Sequence, residues 1–267
     1  MHVSLVYAGI AGKGFASIGQ GMDSGWISHG LAILAAVLKR EGHEVDLLDL
    51  RALRDWQHLR EELARRRPDV CGLTMMSVDF NPVMRCVDKL LHDLEQGRRP
   101  ERLIVGEHPD LDSLPFADHD LFLEEWRHQG FEMSSPEAPF VAELPPPFVT
   151  IIAGRGCIYN CKFCKPGEAL IFGNRVRSRS VGNAELKLLR DKYQFNSFMF
   201  HDDCLTENPR WVREFCNAYK AEGFRQPFFC QSRADIIVKH EETVALMASA
   251  GLKGYFIGFE SGSDRVL

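Results

Sequence analysis

No run of apolar residues in this chain approaches the length of a bilayer crossing. The opening residues, Met1-His2-Val3-Ser4-Leu5-Val6-Tyr7, lack the charged start and long apolar stretch of a secretory signal. Basic blocks are missing too. The chain has 32 Lys and Arg against 37 Asp and Glu, a net charge of -5, so charge does not indicate a nucleic-acid surface. Eight cysteines in 267 residues are too few for a small disulfide scaffold. These absences predict a cytoplasmic chain in a reducing compartment, with no membrane or nucleic-acid partner. An apolar fraction of 45% is ample for a core, and the length allows one large domain or two ordinary ones.

A further shortage concerns metal ligands. Cys157, Cys161 and Cys164 stand in the stretch Gly154-Arg155-Gly156-Cys157-Ile158-Tyr159-Asn160-Cys161-Lys162-Phe163-Cys164, directly after the apolar run from Phe148 to Ala153. The spacing is C-x3-C-x2-C. Thiolates are soft donors that suit iron–sulfur clusters, zinc or Cu(I). A structural zinc wants four protein ligands, usually as two close pairs. No second C-x2-C pair, and no suitably placed His, follows. Three thiolates can hold three corners of a cubane and leave the fourth metal to a non-protein ligand. The pattern therefore favours an open-cornered [4Fe–4S] cluster over a zinc knot or three core cysteines. Gly154 and Gly156 let the backbone bend before the first ligand.

With an aromatic, Phe163, just before the third cysteine, this loop resembles the cluster loop of the radical S-adenosylmethionine (radical SAM) enzymes. The resemblance implies that Cys157, Cys161 and Cys164 bind three irons. The fourth iron then takes the amine and carboxylate of S-adenosylmethionine (SAM), whose reductive cleavage gives a 5′-deoxyadenosyl radical.

In chain order, Val3–Ala8 reads as a strand, followed by a Gly-rich loop and a helix from Ile27 to Arg40 with Leu31, Leu34, Ala35 and Leu38 on one face. Glu44–Leu50 is a second strand, Trp56–Arg66 a helix, Asp69–Met75 a third strand, and Asn81-Pro82 opens a helix to about Leu94. This alternation predicts a doubly wound α/β unit with a parallel sheet. The Gly-rich segment does not form a G-x-G-x-x-G that leads straight into a helix, so a dinucleotide fingerprint is weak. Gly30-Leu31-Ala32-Ile33-Leu34, Gly42-His43-Glu44-Val45-Asp46-Leu47-Leu48-Asp49 and Val70-Cys71-Gly72-Leu73-Thr74 instead resemble the cobalamin (B12)-binding domain that precedes the radical SAM core in one large subfamily. Two departures qualify the cofactor this implies. The D-x-H-x-x-G signature, whose His coordinates cobalt in some B12 proteins, is absent, as it is in many members of the subfamily. The fourth strand, Arg102–Val105, also runs almost at once into linker-like sequence, which leaves the last strand and helix of such a domain short or missing.

Residues 107–147 read as a linker with Pro109, Pro115, Pro136, Pro139 and Pro145-Pro146-Pro147, one helical turn near Leu123–Arg127, and solvated His108, His119 and His128. From Phe148 a second α/β series begins. Its later strands are Ser197–Phe200, Phe228–Gln231 and Tyr255–Phe259, each with polar residues just past its carboxyl end. A helix opens at Val181 or Asn183, another at Asn208-Pro209, and a third spans Glu242–Ala250. The expected fold is α/β: a Rossmann-like B12-binding-type domain over 1–106, the linker over 107–147, and a (β/α) partial TIM barrel of radical SAM type over 148–267. With four barrel strands in sight, the chain is expected to be a fragment or a truncated open reading frame.

The resemblance also implies roles for the strand ends. Phe163 packs beside the adenine, and Asp202 and Asp203 reach the methionine or ribose of SAM. Arg233 pairs with its carboxylate through a bidentate fork. Gly258-Phe259-Glu260-Ser261-Gly262-Ser263 resembles the family's G-x-E-S-G-S segment, with Glu260 and Ser261 toward the ribose. Cys71, Cys86, Cys204, Cys216 and Cys230 are not expected to be ligands, although Cys204 faces the active side. The expected cofactors are a [4Fe–4S] cluster, SAM and cobalamin. The partners are an electron donor such as flavodoxin or ferredoxin and a small-molecule or peptide substrate. Three functions stay open: a B12-dependent methyltransferase acting on unactivated carbon, a radical SAM enzyme with its B12 domain kept as scaffold, and a non-catalytic metal-binding remnant.

Overall fold

The computed structural model describes residues 1–9, 15–18, 26–74, 110–133, 137, 139, 141–159, 161, 175–176, 179–259 and 262–263. The chain divides into two compact units, Met1–His108 with Leu114–Ala138, and Pro109–Ser113 with Pro139–Leu267.

In the first unit, β1 (His2–Tyr7) lies between β2 (Glu44–Asp49) and β3 (Val70–Leu73), all parallel. β1 is apolar almost throughout and buried from Val3 onward, as a central strand covered on both faces must be. Helix α1 (His29–Arg40) starts where the Ser28 hydroxyl accepts from the Leu31 amide, and it buries Leu31, Ala32 and Ala35. Helix α2 (Trp56–Arg66) starts likewise at Asp55, whose carboxylate accepts from the His58 amide at 2.8 Å. The expected helix from Asn81 and strand from Arg102 lie outside the described residues.

The stretch expected to be linker contains a nine-residue helix, α3 (Asp120–His128), rather than a single turn. Leu121, Phe122, Leu123 and Trp126 line its buried face, and α3 packs on β2. The flanking prolines drew attention away from this apolar spacing. Trp126 is fully buried, and its indole Nε1 donates to Asp49 at 2.8 Å. Arg51 forks onto the same carboxylate at 2.7–3.2 Å, lies 4.5 Å from the Tyr7 ring centre and donates to the Trp26 carbonyl. His119, expected in solvent, is 2% exposed, with its ring against that of His29. His128 is half exposed and bonds to Arg65, while His108 lies outside the described residues.

The second unit holds a parallel sheet in the order β4 (Phe148–Ile151), β7 (Ser197–Phe200), β8 (Phe228–Ser232), β9 (Leu252–Ile257). The short β5 (Gly154–Arg155) and β6 (Arg175–Val176) form a separate antiparallel ribbon. The helices are α4 (Arg179–Tyr193), α5 (Pro209–Ala221), α6 (Ala234–Lys239) and α7 (Glu241–Ala250). α4 begins before the expected Val181, and the short α6 had no sequence signal long enough to read.

Alternation decides the packing. Phe198, Phe200, Phe228 and Cys230 point to one face of the sheet, into a core that α5 closes with Trp211, Val212, Phe215 and Tyr219. The rings of Phe200 and Phe215 meet edge to face at 5.1 Å, and Phe198 stacks on Phe228 at 5.2 Å. Met199 points the other way, toward Phe148 and Leu144. At Gly254 a Cβ would sit 2.6 Å from the Phe229 ring, so a larger residue there would displace that ring. Among the described residues no helix is long and apolar enough to cross a membrane.

In the first unit Glu62 accepts from Arg65 and Arg66, each at 2.7 Å. Burial alone would raise its pKa, but the two guanidiniums outweigh it and hold the carboxyl at about 2, below its ordinary 4.5. A folded value below the unfolded one means that this contribution is present above about pH 4.5 and is lost as the pH falls through about 2. Glu62→Gln is therefore expected to cost about 1 kcal/mol at pH 7 and progressively less in acid. Urea unfolding at several pH values tests this, and a cost that does not change with pH would refute it.

Candidate functional site

Polar residues collect past the carboxyl ends of β4, β7 and β8, as the sequence predicts for a barrel-type sheet. After β4 the chain turns at Gly156, whose φ of 89° is the left-handed conformation that glycine adopts without cost. Cys157 and Cys161 follow, both half-buried. Cys164 and Phe163 lie outside the described residues, as do Glu260 and Ser261.

Two carboxylates from the β7 side hold this loop. Asp202 accepts from the Ala153 amide at 3.0 Å and the Gly154 amide at 2.6 Å. Burial pushes its carboxyl up to about 7 against those two hydrogen bonds. Glu207, at the end of the 3-10 turn Leu205–Glu207, accepts from the Ile158 amide at 3.2 Å. Asp203, the next residue after Asp202, is exposed. The adjacent pair assigned to SAM thus divides in two: Asp202 faces backbone amides and Asp203 faces solvent. Gly154, Gly156, Asp202, Cys204 and Glu207 line a small cleft, which agrees with the expectation that Cys204 faces this side.

From β8, Arg233 reaches the loop. Its Nη1 donates to Cys161 Sγ at 3.3 Å, its Nε and Nη2 grip Asp235 at 3.0 and 3.2 Å, and it lies 4.0 Å from the centre of the Tyr159 ring. The Thr206 and Ser232 hydroxyls lie 2.5 Å apart, linking the turn after β7 to the end of β8. Glu207 and Tyr159 were not singled out from the sequence. Neither stands in a periodic pattern, and their partners are backbone or another loop.

The donor chemistry fits an iron–sulfur cluster. Cys157 and Cys161 are soft donors on one bent loop, and the third cysteine of the motif lies three residues beyond Cys161. Burial pushes the Cys157 thiol up to about 11, with Glu207, Cys204 and Asp203 adding to the effect. A bound cation is what would keep such a thiol ionised. Among the described residues no group of three or more His, Cys, Asp or Glu side chains is placed to hold a metal ion, and Cys164 lies outside them.

Comparison with known proteins agrees with this architecture. Residues 22–117 match the family described as the B12 binding domain. An uncharacterized methyltransferase of Pyrococcus horikoshii is 27% identical over 161 residues, which are 59% of this chain and 31% of the relative. The cytidylyl-2-hydroxyethylphosphonate methyltransferase of Streptomyces wedmorensis is 30% identical over 161 residues, 59% of this chain and 28% of that protein. The match thus spans about three-tenths of these curated relatives. Among solved structures, the cobalamin-dependent SAM radical enzyme OxsB, with aqua-cobalamin and SAM bound, superposes with a TM-score of 0.68 at 16% identity. That superposition covers 100% of this chain and 45% of OxsB, and at this identity it speaks for the fold. The fold class is therefore a Rossmann-like B12-binding-type domain followed by (β/α) barrel strands of radical SAM type. The chain thus carries a match to the B12 binding domain over residues 22–117, and its fold is similar to that of the cobalamin-dependent SAM radical enzyme OxsB.

Asp202→Ala would strand two buried amides and is expected to cost about 3 kcal/mol, whereas Glu207→Ala, which frees one exposed amide, should cost about 1 kcal/mol or less. Urea unfolding of both variants measures the difference. Equal losses would overturn the division of labour between the two carboxylates.

Proposed function

We propose that this chain supplies the SAM-cleaving and cobalamin-binding parts of a radical SAM methyltransferase that acts on unactivated carbon. The observation that carries this reading is the C-x3-C-x2-C loop after β4, bent at Gly156 and braced by Asp202 and Glu207 at the carboxyl edge of a parallel sheet. Cys157, Cys161 and Cys164 would hold the [4Fe–4S] cluster. When bound, such a cluster with one open iron supplies the electron that cleaves SAM to a 5′-deoxyadenosyl radical. The chain's own contribution is positional. Asp202 fixes where the loop leaves β4, Glu207 fixes the backbone next to the first ligand, and Phe163, Asp203, Glu260 and Ser261 remain assigned to SAM. Methyl transfer draws support from the relatives that are methyltransferases and from the B12 binding domain over residues 22–117. A low-potential donor of the flavodoxin or ferredoxin type, a small-molecule or peptide substrate and a cytoplasmic setting belong to the same proposal.

A second reading rests on one observation. None of the 10 histidines has Asp two residues before it and Gly three after, so no side chain is marked as a lower cobalt ligand. Under that reading the first unit serves as scaffold for another radical rearrangement or oxidation.

Anaerobic reconstitution with iron and sulfide, followed by EPR of the reduced chain with and without SAM, tests the proposal. A [4Fe–4S]+ signal that shifts on adding SAM is expected, and the signal should vanish in Cys157→Ala, Cys161→Ala and Cys164→Ala. A stoichiometric zinc site, or a cluster blind to SAM, would leave a metal-binding remnant. Reconstitution with hydroxocobalamin should yield a protein-bound cobalamin absorption band. Its absence beside an active cluster would select the second reading.

A further inference from the structure

We infer that Arg233 is a tuning residue that donates to the thiolate of Cys161 and raises the reduction potential of the cluster, rather than a clamp for the SAM carboxylate. This inference rests on the cluster assignment proposed above and extends it to one side chain.

Geometry carries the inference. A carboxylate clamp needs the parallel N–H groups of the guanidinium fork. In Arg233 the side edge, Nε and Nη2, is already closed on Asp235 at 3.0 and 3.2 Å, and the end edge is engaged through Nη1 by Cys161. The Tyr159 ring, 4.0 Å away, covers one face of the guanidinium. Nη1 is then left to point at Cys161 Sγ, 3.3 Å off. Contacts from the cysteine loop and from the start of the following helix thus fix one N–H on one sulfur. Tyr159 and Cys161 both belong to the cysteine loop, so any movement of that loop carries the ring and the sulfur together. Asp235 lies two residues beyond Arg233, at the start of α6, and holds the arginine from its own side.

An N–H bond to a cluster sulfur, with a positive charge behind it, stabilises the form that carries more negative charge. The relevant step takes one electron from an external low-potential reductant and converts the 2+ cluster to the 1+ state, with no bond made or broken. Arg233 holds its proton in both states, since a guanidinium does not give up its proton near neutral pH. Its effect is therefore electrostatic and independent of pH across the working range. Tyr159 keeps the guanidinium close to the loop, and Asp235 keeps it from swinging into solvent.

The test is an EPR-monitored redox titration of the reconstituted chain, wild type against Arg233→Gln and Arg233→Lys, with SAM binding measured on the same samples by equilibrium dialysis. Arg233→Gln should shift the midpoint to more negative potential, so that the ratio of reduced to oxidised cluster at a fixed poise falls about tenfold. Arg233→Lys, which keeps the charge but loses the planar fork, should recover part of the shift. SAM affinity should stay within about twofold of wild type in both variants, since a side chain that does not touch the ligand leaves binding near its original level. Unchanged midpoints with intact clusters would overturn the inference and leave the cluster assignment standing. A loss of SAM affinity at an unchanged midpoint would return Arg233 to the carboxylate. A wild-type chain that takes up no cluster at all would overturn both assignments.

Discussion

The carboxylate of Asp202 joins the end of β7 to the residues that follow β4, and the position of the cysteine loop depends on that link. Parallel strands leave their terminal amides without a ladder partner, and buried amides without an acceptor are costly. Asp202 accepts from two such amides, Ala153 and Gly154, at the point where the sheet hands the chain to the loop. Gly156 then turns the backbone, and Cys157 emerges beside Glu207. Asp202 itself is held by position. The backbone N–H of His201, one residue before it, donates to the Ile151 carbonyl at 2.8 Å, which continues the β4–β7 ladder up to the turn.

The aromatic core beneath this edge supplies the rigidity. Phe198 and Phe200 alternate with Met199, so β7 buries both faces, while the residues just past its end, His201 to Asp203, are polar. α5 is pinned by Asn208, which caps it with a 3.1 Å bond to the Trp211 amide. The turn that carries Glu207 lies directly before that cap. Glu207 is thus fixed on one side by a helix start and on the other by a buried strand end. This leaves little freedom for the acceptor that faces Ile158.

Much of this was legible in the sequence. The β7 and α2 boundaries agree with those read from apolar periodicity, and the helix at Asn208-Pro209 begins where the cap and proline mark it. The cysteine motif and its glycine bend were equally plain. The sequence misled over residues 107–147, where prolines outweighed the apolar spacing of Leu121, Phe122, Leu123 and Trp126. Contacts distant in sequence could not be read at all. Trp126 bonds to Asp49 across 77 positions, and Arg233 bonds to Cys161 across 72. Local pattern carries no trace of such pairs. The division between Asp202 and Asp203 escaped for a related reason: strand alternation separates neighbours, but it does not say which will find backbone donors.

Asp49 and Asp202 apply one device with different results. Each is a buried carboxylate at or just past the carboxyl end of a parallel strand. Asp49 is satisfied by side chains, the Arg51 fork and the Trp126 indole, with the Tyr7 ring under the guanidinium. Those bulky partners fill the space next to the strand end and make it part of a core. Among the described residues the hydrogen bonds to Asp202 come from backbone amides, which occupy little volume, with the charge of Arg155 nearby. The space past β7 is therefore left to Cys204, Glu207 and the cysteine loop, whose side chains have chemistry to offer. A carboxylate paired with arginine and tryptophan closes a strand end, whereas one paired with main chain braces a loop and leaves room for a reactive group. That difference, more than the count of polar residues at each edge, distinguishes the strand ends of the second unit from those of the first, and it is at the former that the proposed cluster chemistry is placed.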